Sequence, residues 1–415
     1  MASIAECHVD LEALAASLSD RSRALAAVGS GAAGVAELHA HHGEILQGVF
    51  YDSDDRVEQG LVTLPCSLYR TRVTFRPLCA GPLTVEPGDR ARARVAARLA
   101  LDAVGRTGWG GSVRIDSNVP LGWGCGSSTT DVVTTIRAVA DAFGVALPAE
   151  WIAMLAVTSE IASDSLMYGS ERAVLFAQRR GRLLRDLGGP LPLVHVLGFN
   201  TEVDSGVATL SLLPCKYSGW EVEAFQSILG LLCRAVDHQD PRLLGCAATA
   251  SAEINQRHRP KRFLPQLRQI ASHTGAVGLQ VAHSGTVAGL LFEPGSDAAQ
   301  RIDDARTMLR RLGLQRSWEF NTDPFSQEDS GEHRLHQCQR RGCFSPAAPR
   351  VATREPDWRG FPADETAAGA VHPAQGDRGG GPRAGRLDRR VHLGDVWVGA
   401  GNGGQAARTP AHAGE

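Results

Sequence analysis

Apolar positions along this chain recur with period two in some stretches and with a period near 3.6 in others, and the two textures are interleaved. "VAELHA", from Val35, alternates like a strand, and "GLVTLPCSLYRTRVTFRP" predicts two strand-like runs around Pro65. "TVEPGDRARARVAARLALDAVG" predicts a helix entered from a Pro-Gly turn, and "GGSVRIDS" a strand after it. "AEWIAMLAVTSEIASDSLMYG" reads as helix until its end, "AVLFAQRRGRLLRDLGG" as strand, turn and strand, and "LPLVHVLGFN" as a buried strand. Two helices follow, "WEVEAFQSILGLLCRAVDHQ" and "DPRLLGCAATASAEINQRH". "FLPQLRQIASHTG" is a third helix, "AVGLQVAHSG" a strand, "TVAGLLFEPG" a further apolar run, and "DAAQRIDDARTMLRRLG" an amphipathic helix. Strands and helices mix without regular βαβ alternation, so the expected class is α+β.

The two ends have a different texture. Residues 1–34 are rich in Ala and Ser and carry a helical pattern, an expected N-terminal extension. From about Gln337 to the end, residues 337–415 are dominated by Ala, Gly, Pro and Arg, with too few large apolar side chains to bury a core, which predicts disorder. Periodicity is lost abruptly after "HRLHQC"; a shifted reading frame in GC-rich DNA would produce such a change, and resequencing the gene would test it.

Composition narrows the classes. The chain has 415 residues, 43% of them hydrophobic, enough for two domains of ordinary size. The formal net charge of −2 gives no basic field for nucleic acid. Lys216 and Lys261 are the only lysines among 43 basic residues, an arginine bias we read as GC-rich coding. "MASIAECHVD" lacks the basic and apolar regions of a secretory signal, and the longest apolar stretches fall short of a membrane span. The nine cysteines are scattered and odd in number, which suits reduced cytosolic thiols. A cytoplasmic protein acting on a small molecule is expected; oligomeric state is not legible.

The most informative stretch is "SNVPLGWGCGSSTTDVVTTIRAVADAFG", Ser117 to Gly144. Glycines at 122, 124 and 126 allow close backbone approach, and the hydroxyls of Ser127, Ser128, Thr129 and Thr130 crowd the mouth of a helix. A helix N-terminus exposes unpaired N–H groups and partial positive charge, so the arrangement suits a nucleotide's phosphates. Neither G-x-x-x-x-G-K-[ST] nor G-x-G-x-x-G is present. A glycine-rich turn capping an ordinary helix is the simpler alternative. Pro120, three glycines and four consecutive hydroxyl residues weigh against it.

"PLGWGCGSST", Pro120 to Thr129, resembles the P-x-x-x-G-L-G-S-S-A signature of the GHMP kinases, with Cys125 for the usual Leu and Thr129 for the usual Ala. "HHGEILQGVF", His41 to Phe50, is similar to the family's first motif, a strand and turn containing Gly-Glu. "GLQVAHSGTVAGLLF", Gly278 to Phe292, is similar to its third, a Gly-rich turn between strand and helix. The likeness spans about Val35 to Gly313. "GEILQG", "LVTLPCSLY", "SDSLMYG" and "VAHSGTVAGLLF" bring it nearest to the L-threonine kinase branch associated with cobalamin synthesis and propanediol utilisation.

The resemblance implies a ribosomal-protein-S5-like ATP-binding domain over residues 35–195, a ferredoxin-like domain over 196–325, and a site between them using ATP and Mg²⁺. It implies that Pro120, Gly122, Gly124, Cys125, Gly126, Ser127, Ser128 and Thr129 wrap the triphosphate, with a Ser hydroxyl, assigned to Ser128, reaching Mg²⁺. Gly285 would be the backbone-approach position of the third motif, with Ser284 and Thr286 beside it. Glu160 and Asp164 are four apart and share a face if their helix continues. The family position assigns Glu160 to Mg²⁺ and Asp164 to the acceptor hydroxyl, as catalytic and substrate-binding group. A solvated helix face is the competing reading of that pair.

An amino-acid acceptor needs a carboxylate for its ammonium group, expected of Glu44, and a cation for its own carboxylate, expected of Arg70 or Arg72. Some family members place a lysine near the site; none is expected here. His39, His41 and His42 lack a second ligand cluster at recognised spacing, and His333, His336, Cys338 and Cys343 do not match a zinc finger. The expected activity is phosphorylation of L-threonine to O-phospho-L-threonine. Homoserine, a specialised-metabolite alcohol, or a non-catalytic nucleotide-binding regulator are the alternatives.

Overall fold

The computed structural model describes residues 32–202 and 215–323. The N-terminal extension up to residue 31, the expected tail 337–415 and the His333–Cys343 cluster lie outside the described residues.

Two long strands form the spine. β1 (Gly34–Tyr51) and β2 (Val57–Leu78) pair antiparallel from Gly34↔Phe75 to Tyr51↔Val57. Asp52 closes the hairpin, its Oδ1 accepting from the backbone N–H of Asp54 and of Arg56 at 2.9 Å each. β2 is one strand, where two runs around Pro65 were expected; Pro65 sits opposite His41, where the β1 register shifts, so the ladder tolerates its missing donor. The Gly-Glu "turn" is likewise a bulged region inside β1, with Gly43 at φ +69°.

β3 (Leu83–Glu86) and β4 (Gly110–Ser117) extend the sheet beyond β2, with α1 (Ala91–Ala103) between them. α2 (Ser127–Ala142) is buried on nearly every side and packs on β1 and β2. Gly34 makes that approach possible, since a Cβ there would lie 2.1 Å from the Ala138 carbonyl oxygen. Asp131 pins α2 to the sheet, 3.0 Å from the Arg90 Nε and accepting from Thr71 Oγ1. α3 (Ala149–Glu160) is followed by a short turn of 3₁₀ helix (Leu166–Tyr168), then the β5 (Val174–Ala177) and β6 (Arg182–Asp186) hairpin.

The remaining strands are β7 (His195–Asn200), β8 (Gly278–Val281), β9 (Val287–Phe292) and β10 (Ser317–Asn321). The sheet order is β10-β7-β9-β8-β1-β2-β4-β3, and β8 joins β1 through a single pair, Glu44↔Val281. α4 (Gly219–His238) opens with a capping box of Ser218 and Glu221. α5 (Pro241–Asn255) opens with Asp240 accepting from the N–H groups of Arg242 and Leu243. α6 (Leu264–His273) and α7 (Ala298–Arg311) complete the helices. One apolar cluster lies among α1, α2 and β2, another under α6 and α7. Between them a third mixes Ile45, Leu46 and Phe50 of β1 with Phe225, Leu229 and Leu232 of α4.

Candidate active site

The three motif segments meet at one cleft. β1 delivers His41 and Glu44, the loop before α2 delivers Gly122, Gly124 and Gly126, the start of α2 delivers Ser127, Ser128 and Thr129, and the segment after α3 delivers Ser163 and Asp164. Gly122, Gly124 and Gly126 have φ of +74°, +84° and +71°, the left-handed region that side chains disfavour. The loop is fastened from behind by the β8–β9 turn, where Thr286 N and Val287 N donate to the Trp123 carbonyl at 2.9 and 3.1 Å. A Cβ on Gly285 would lie 2.1 Å from that same carbonyl oxygen. Gly285 thus sits between two strands, not between strand and helix, and braces Gly124 without lining the cleft.

Two other loop residues do not reach the cleft with their side chains. Cys125 is buried in an apolar cluster with Ala40, Val119, Ala282 and Val287, so it offers a nucleotide only its backbone. Burial raises its thiol well above the ordinary value, which makes it inert as a thiolate. Pro120 is not among the residues that line the cleft.

Glu160 and Asp164 do not share a helix face. α3 ends at Glu160, and Ile161 turns the chain with φ +72°. The two carboxylates are brought together instead by Thr129, whose Oγ1 lies 2.9 Å from Glu160 Oε1 and 3.2 Å from Asp164 Oδ2. One hydroxyl carries one proton, so it donates to one carboxylate at a time. The same oxygen accepts from Asp164 N at 3.3 Å. Ser128 Oγ donates to Glu160 Oε2 at 2.5 Å and accepts from Arg92 Nη1 at 2.8 Å. Burial pushes the Glu160 carboxyl up to about 7, against the Ser128 hydrogen bond, and the Asp164 charge adds to the rise.

Asp164 moves the other way. Its burial would raise it, but the charge and hydrogen bond of His41, with the Thr129 hydroxyl, hold it below the usual carboxylate range. His41 Nε2 lies 2.9 Å from Asp164 Oδ2. Glu44 is buried, and its Oε2 accepts from His283 N at 2.9 Å and lies 3.1 Å from His283 Nδ1.

Five side chains in or beside the cleft escape a reading from sequence: Arg92, Arg179, Arg259, Lys261 and His41. Arg70 and Arg72 pair with Glu37 at 3.1 and 3.5 Å on exposed β2 and do not line the cleft; Arg92, Arg179 and Arg259 do. No lysine was expected near the site; Lys261 does not line the cleft, but its Nζ donates to the Gly285 carbonyl behind the glycine loop, and burial takes its ammonium down to about 8. His41, set aside as an improbable metal ligand, holds Asp164.

A glycine loop opening on a helix N-terminus, with paired carboxylates beside it, defines a phosphotransferase class of site. Comparison with known proteins agrees. Residues 91–168 match the GHMP kinases N terminal domain family. The chain is 31% identical over 292 residues to an L-threonine kinase of Salmonella typhimurium, covering 68% of this chain and 90% of that protein. It is 29% identical over 296 residues to an L-threonine kinase of Citrobacter freundii, covering 68% and 94%. A homoserine kinase structure from Cytophaga hutchinsonii superposes with a TM-score of 0.51 at 16% identity, covering 69% of this chain and 94% of that one. The chain belongs to the GHMP kinase family, has its α+β fold, and is an ATP-dependent kinase acting on an alcohol. Among the described residues no helix is long and apolar enough to cross a membrane.

Proposed function

We propose that this chain transfers the γ-phosphoryl group of ATP to the hydroxyl of L-threonine, giving O-phospho-L-threonine. The observation that carries the reading is Asp164, a half-buried carboxylate kept ionised beside the glycine loop and the N-terminus of α2. The names of the Salmonella and Citrobacter relatives, each covered over at least 90% of its length, support the acceptor.

In this reading the triphosphate lies along Gly122, Gly124, Gly126 and the N–H groups that open α2, where aligned peptide dipoles favour anions. Arg92 adds a cation at Ser128. The donor set of Ser128 Oγ and the Glu160 carboxylate is oxygen only, which suits a hard cation. Glu160 is buried and its raised carboxyl marks uncompensated charge, the condition a divalent ion relieves, so these residues fit Mg²⁺. When bound, Mg²⁺ would neutralise phosphate charge.

Asp164 takes the proton of the acceptor hydroxyl as its oxygen bonds to the γ-phosphorus and the β–γ bridging bond breaks. Glu44 faces the acceptor's ammonium group. Arg179 and Arg259, lining the cleft, replace Arg70 and Arg72 as candidates for its carboxylate.

The test is ADP release by purified protein with Mg²⁺-ATP against L-threonine, homoserine, L-serine and amine-free alcohols. We expect turnover with L-threonine, and a higher KM for it in Arg259→Ala. Turnover only with another alcohol would keep the kinase and discard the substrate. ATP binding with no turnover on any acceptor would point to a nucleotide-binding regulator.

A further inference from the structure

We infer that His41 is a positioning residue for Asp164: held through both ring nitrogens as an imidazolium, it engages Asp164 Oδ2 and leaves Oδ1 for the acceptor hydroxyl. The inference rests on the proposed role of Asp164 as the base.

The hydrogen-bond geometry leaves little choice of protonation. His41 Nδ1 lies 3.1 Å from the Gly43 carbonyl oxygen, which can only accept, so Nδ1 carries a hydrogen. Nε2 lies 2.9 Å from Asp164 Oδ2. A neutral ring with its hydrogen on Nδ1 would turn a bare lone pair toward a carboxylate. The contact therefore needs a proton between Nε2 and Oδ2, and the ionic form satisfies both groups. The directions of the two acidities agree. Burial opposes both shifts, yet Asp164 raises His41 and His41 lowers Asp164.

The same geometry separates the two carboxylate oxygens. Oδ2 takes His41 and the Thr129 hydroxyl, whereas Oδ1 has no hydrogen-bond partner among the described residues. The Asp164 side chain is 22% exposed and lines the cleft, while His41 is 1% exposed behind it. Gly126 packs directly on the pair: a Cβ there would lie 2.5 Å from His41 Nε2 and 3.2 Å from Asp164 Oδ2. The phosphate loop and the base are thus in contact through His41. The other titratable groups around the ring are Glu44 and His42 on its own strand, Glu160 on α3 and, around Glu44, His283 and Lys261.

The chemical consequence concerns charge. The acceptor O–H bond breaks and its proton goes to Asp164 Oδ1, while the imidazolium keeps its own proton. Its positive charge is then no longer cancelled by the carboxylate and stands beside the phosphoryl group as negative charge shifts across it.

His41→Gln keeps a donor toward Oδ2 without charge, and His41→Phe keeps a ring under Gly126 with neither. Thermal melts and ATP binding show whether each variant is folded; if His41→Phe is not, His41→Gln carries the test. We expect kcat with L-threonine to fall about 100-fold in His41→Phe with ATP affinity unchanged. In His41→Gln we expect a smaller loss, with the acidic limb of the kcat/KM profile moved to higher pH as Asp164 loses its cation. Wild-type kcat and an unmoved acidic limb in folded variants, with Asp164→Asn inactive, would overturn the role of His41 alone. A fully active Asp164→Asn would overturn the reading of the base, and this inference with it.

Discussion

At the scale of single residues, the site is a set of buried polar groups whose partners decide their charge. His42 and His41 are neighbours on β1 with opposite fates. His41 meets a carboxylate and stays charged. His42 lies between Gln280, Trp318 and Phe320, and burial takes it down to about 4, against the Gln280 hydrogen bond. A histidine that must be neutral when folded adds full stability above its unfolded value of 6.5, and that stability is lost as pH falls toward 4. The linkage amounts to at most about 3 kcal/mol over that window. His42→Phe keeps the aromatic packing and removes the titration. Its urea midpoint is predicted to fall less than the wild type's between neutral pH and the acid end of that window; parallel decline in both would refute this. Glycine spacing and hydroxyl clustering made Ser128 and Thr129 visible in the sequence. His41 was not, because its meaning comes from Asp164, 123 positions away. Arg92 was hidden in an arginine-rich helix, where one guanidinium looks like the next.

At the scale of elements, the glycine loop depends on what braces it. Gly285→Ala would bring a methyl group within 2.1 Å of the Trp123 oxygen and 2.3 Å of Gly124 Cα, both backbone, so no side-chain rotation relieves it. The β8–β9 turn and the loop must separate, breaking the bonds from Thr286 N and Val287 N. We predict a KM for ATP raised about tenfold or more, roughly 1.4 kcal/mol of lost binding, with a lower Tm. Gly88→Ala, where a Cβ would meet nothing within 4 Å, should change neither. An unchanged KM in Gly285→Ala would show that the brace is dispensable. Most element types were legible from periodicity, because apolar alternation and 3.6-residue repeats directly report burial. The sequence was less informative where an element is interrupted. Pro65 marks a tolerated irregularity in one strand, and "TSEIASD" runs on as a helical pattern although the chain turns at Ile161. The short strand "SWEFN" carries too few residues to announce itself, yet Trp318 within it stacks on Trp123 of the glycine loop at 5.5 Å.

At the scale of the whole molecule, the sheet changes partners at one Glu44↔Val281 pair, while the central apolar cluster mixes β1 side chains with those of α4. A division of the chain near residue 195 stays a proposal about its organisation. The shared cluster argues that the portions on either side unfold together. Scanning calorimetry is predicted to give one transition with matching calorimetric and van't Hoff enthalpies. Two resolved transitions would show that they are independent. The placement of the cleft follows from this architecture: β1 carries first-motif residues into contact with a loop from one side and a hairpin from the other. The order of the motifs was legible from sequence; their contact distances were not, since they depend on the long-range pairing of β1 with β2 and β8.

The central claim is that Asp164 activates a hydroxyl beside nucleotide held by the glycine loop. The most direct measurement compares wild type with Asp164→Asn, reading ³¹P NMR of the products with L-threonine and ATP affinity in parallel. Appearance of O-phospho-L-threonine in the wild type, with kcat lost by about 100-fold or more in the variant and ATP affinity retained, is the predicted result. Equal turnover in both proteins would contradict it.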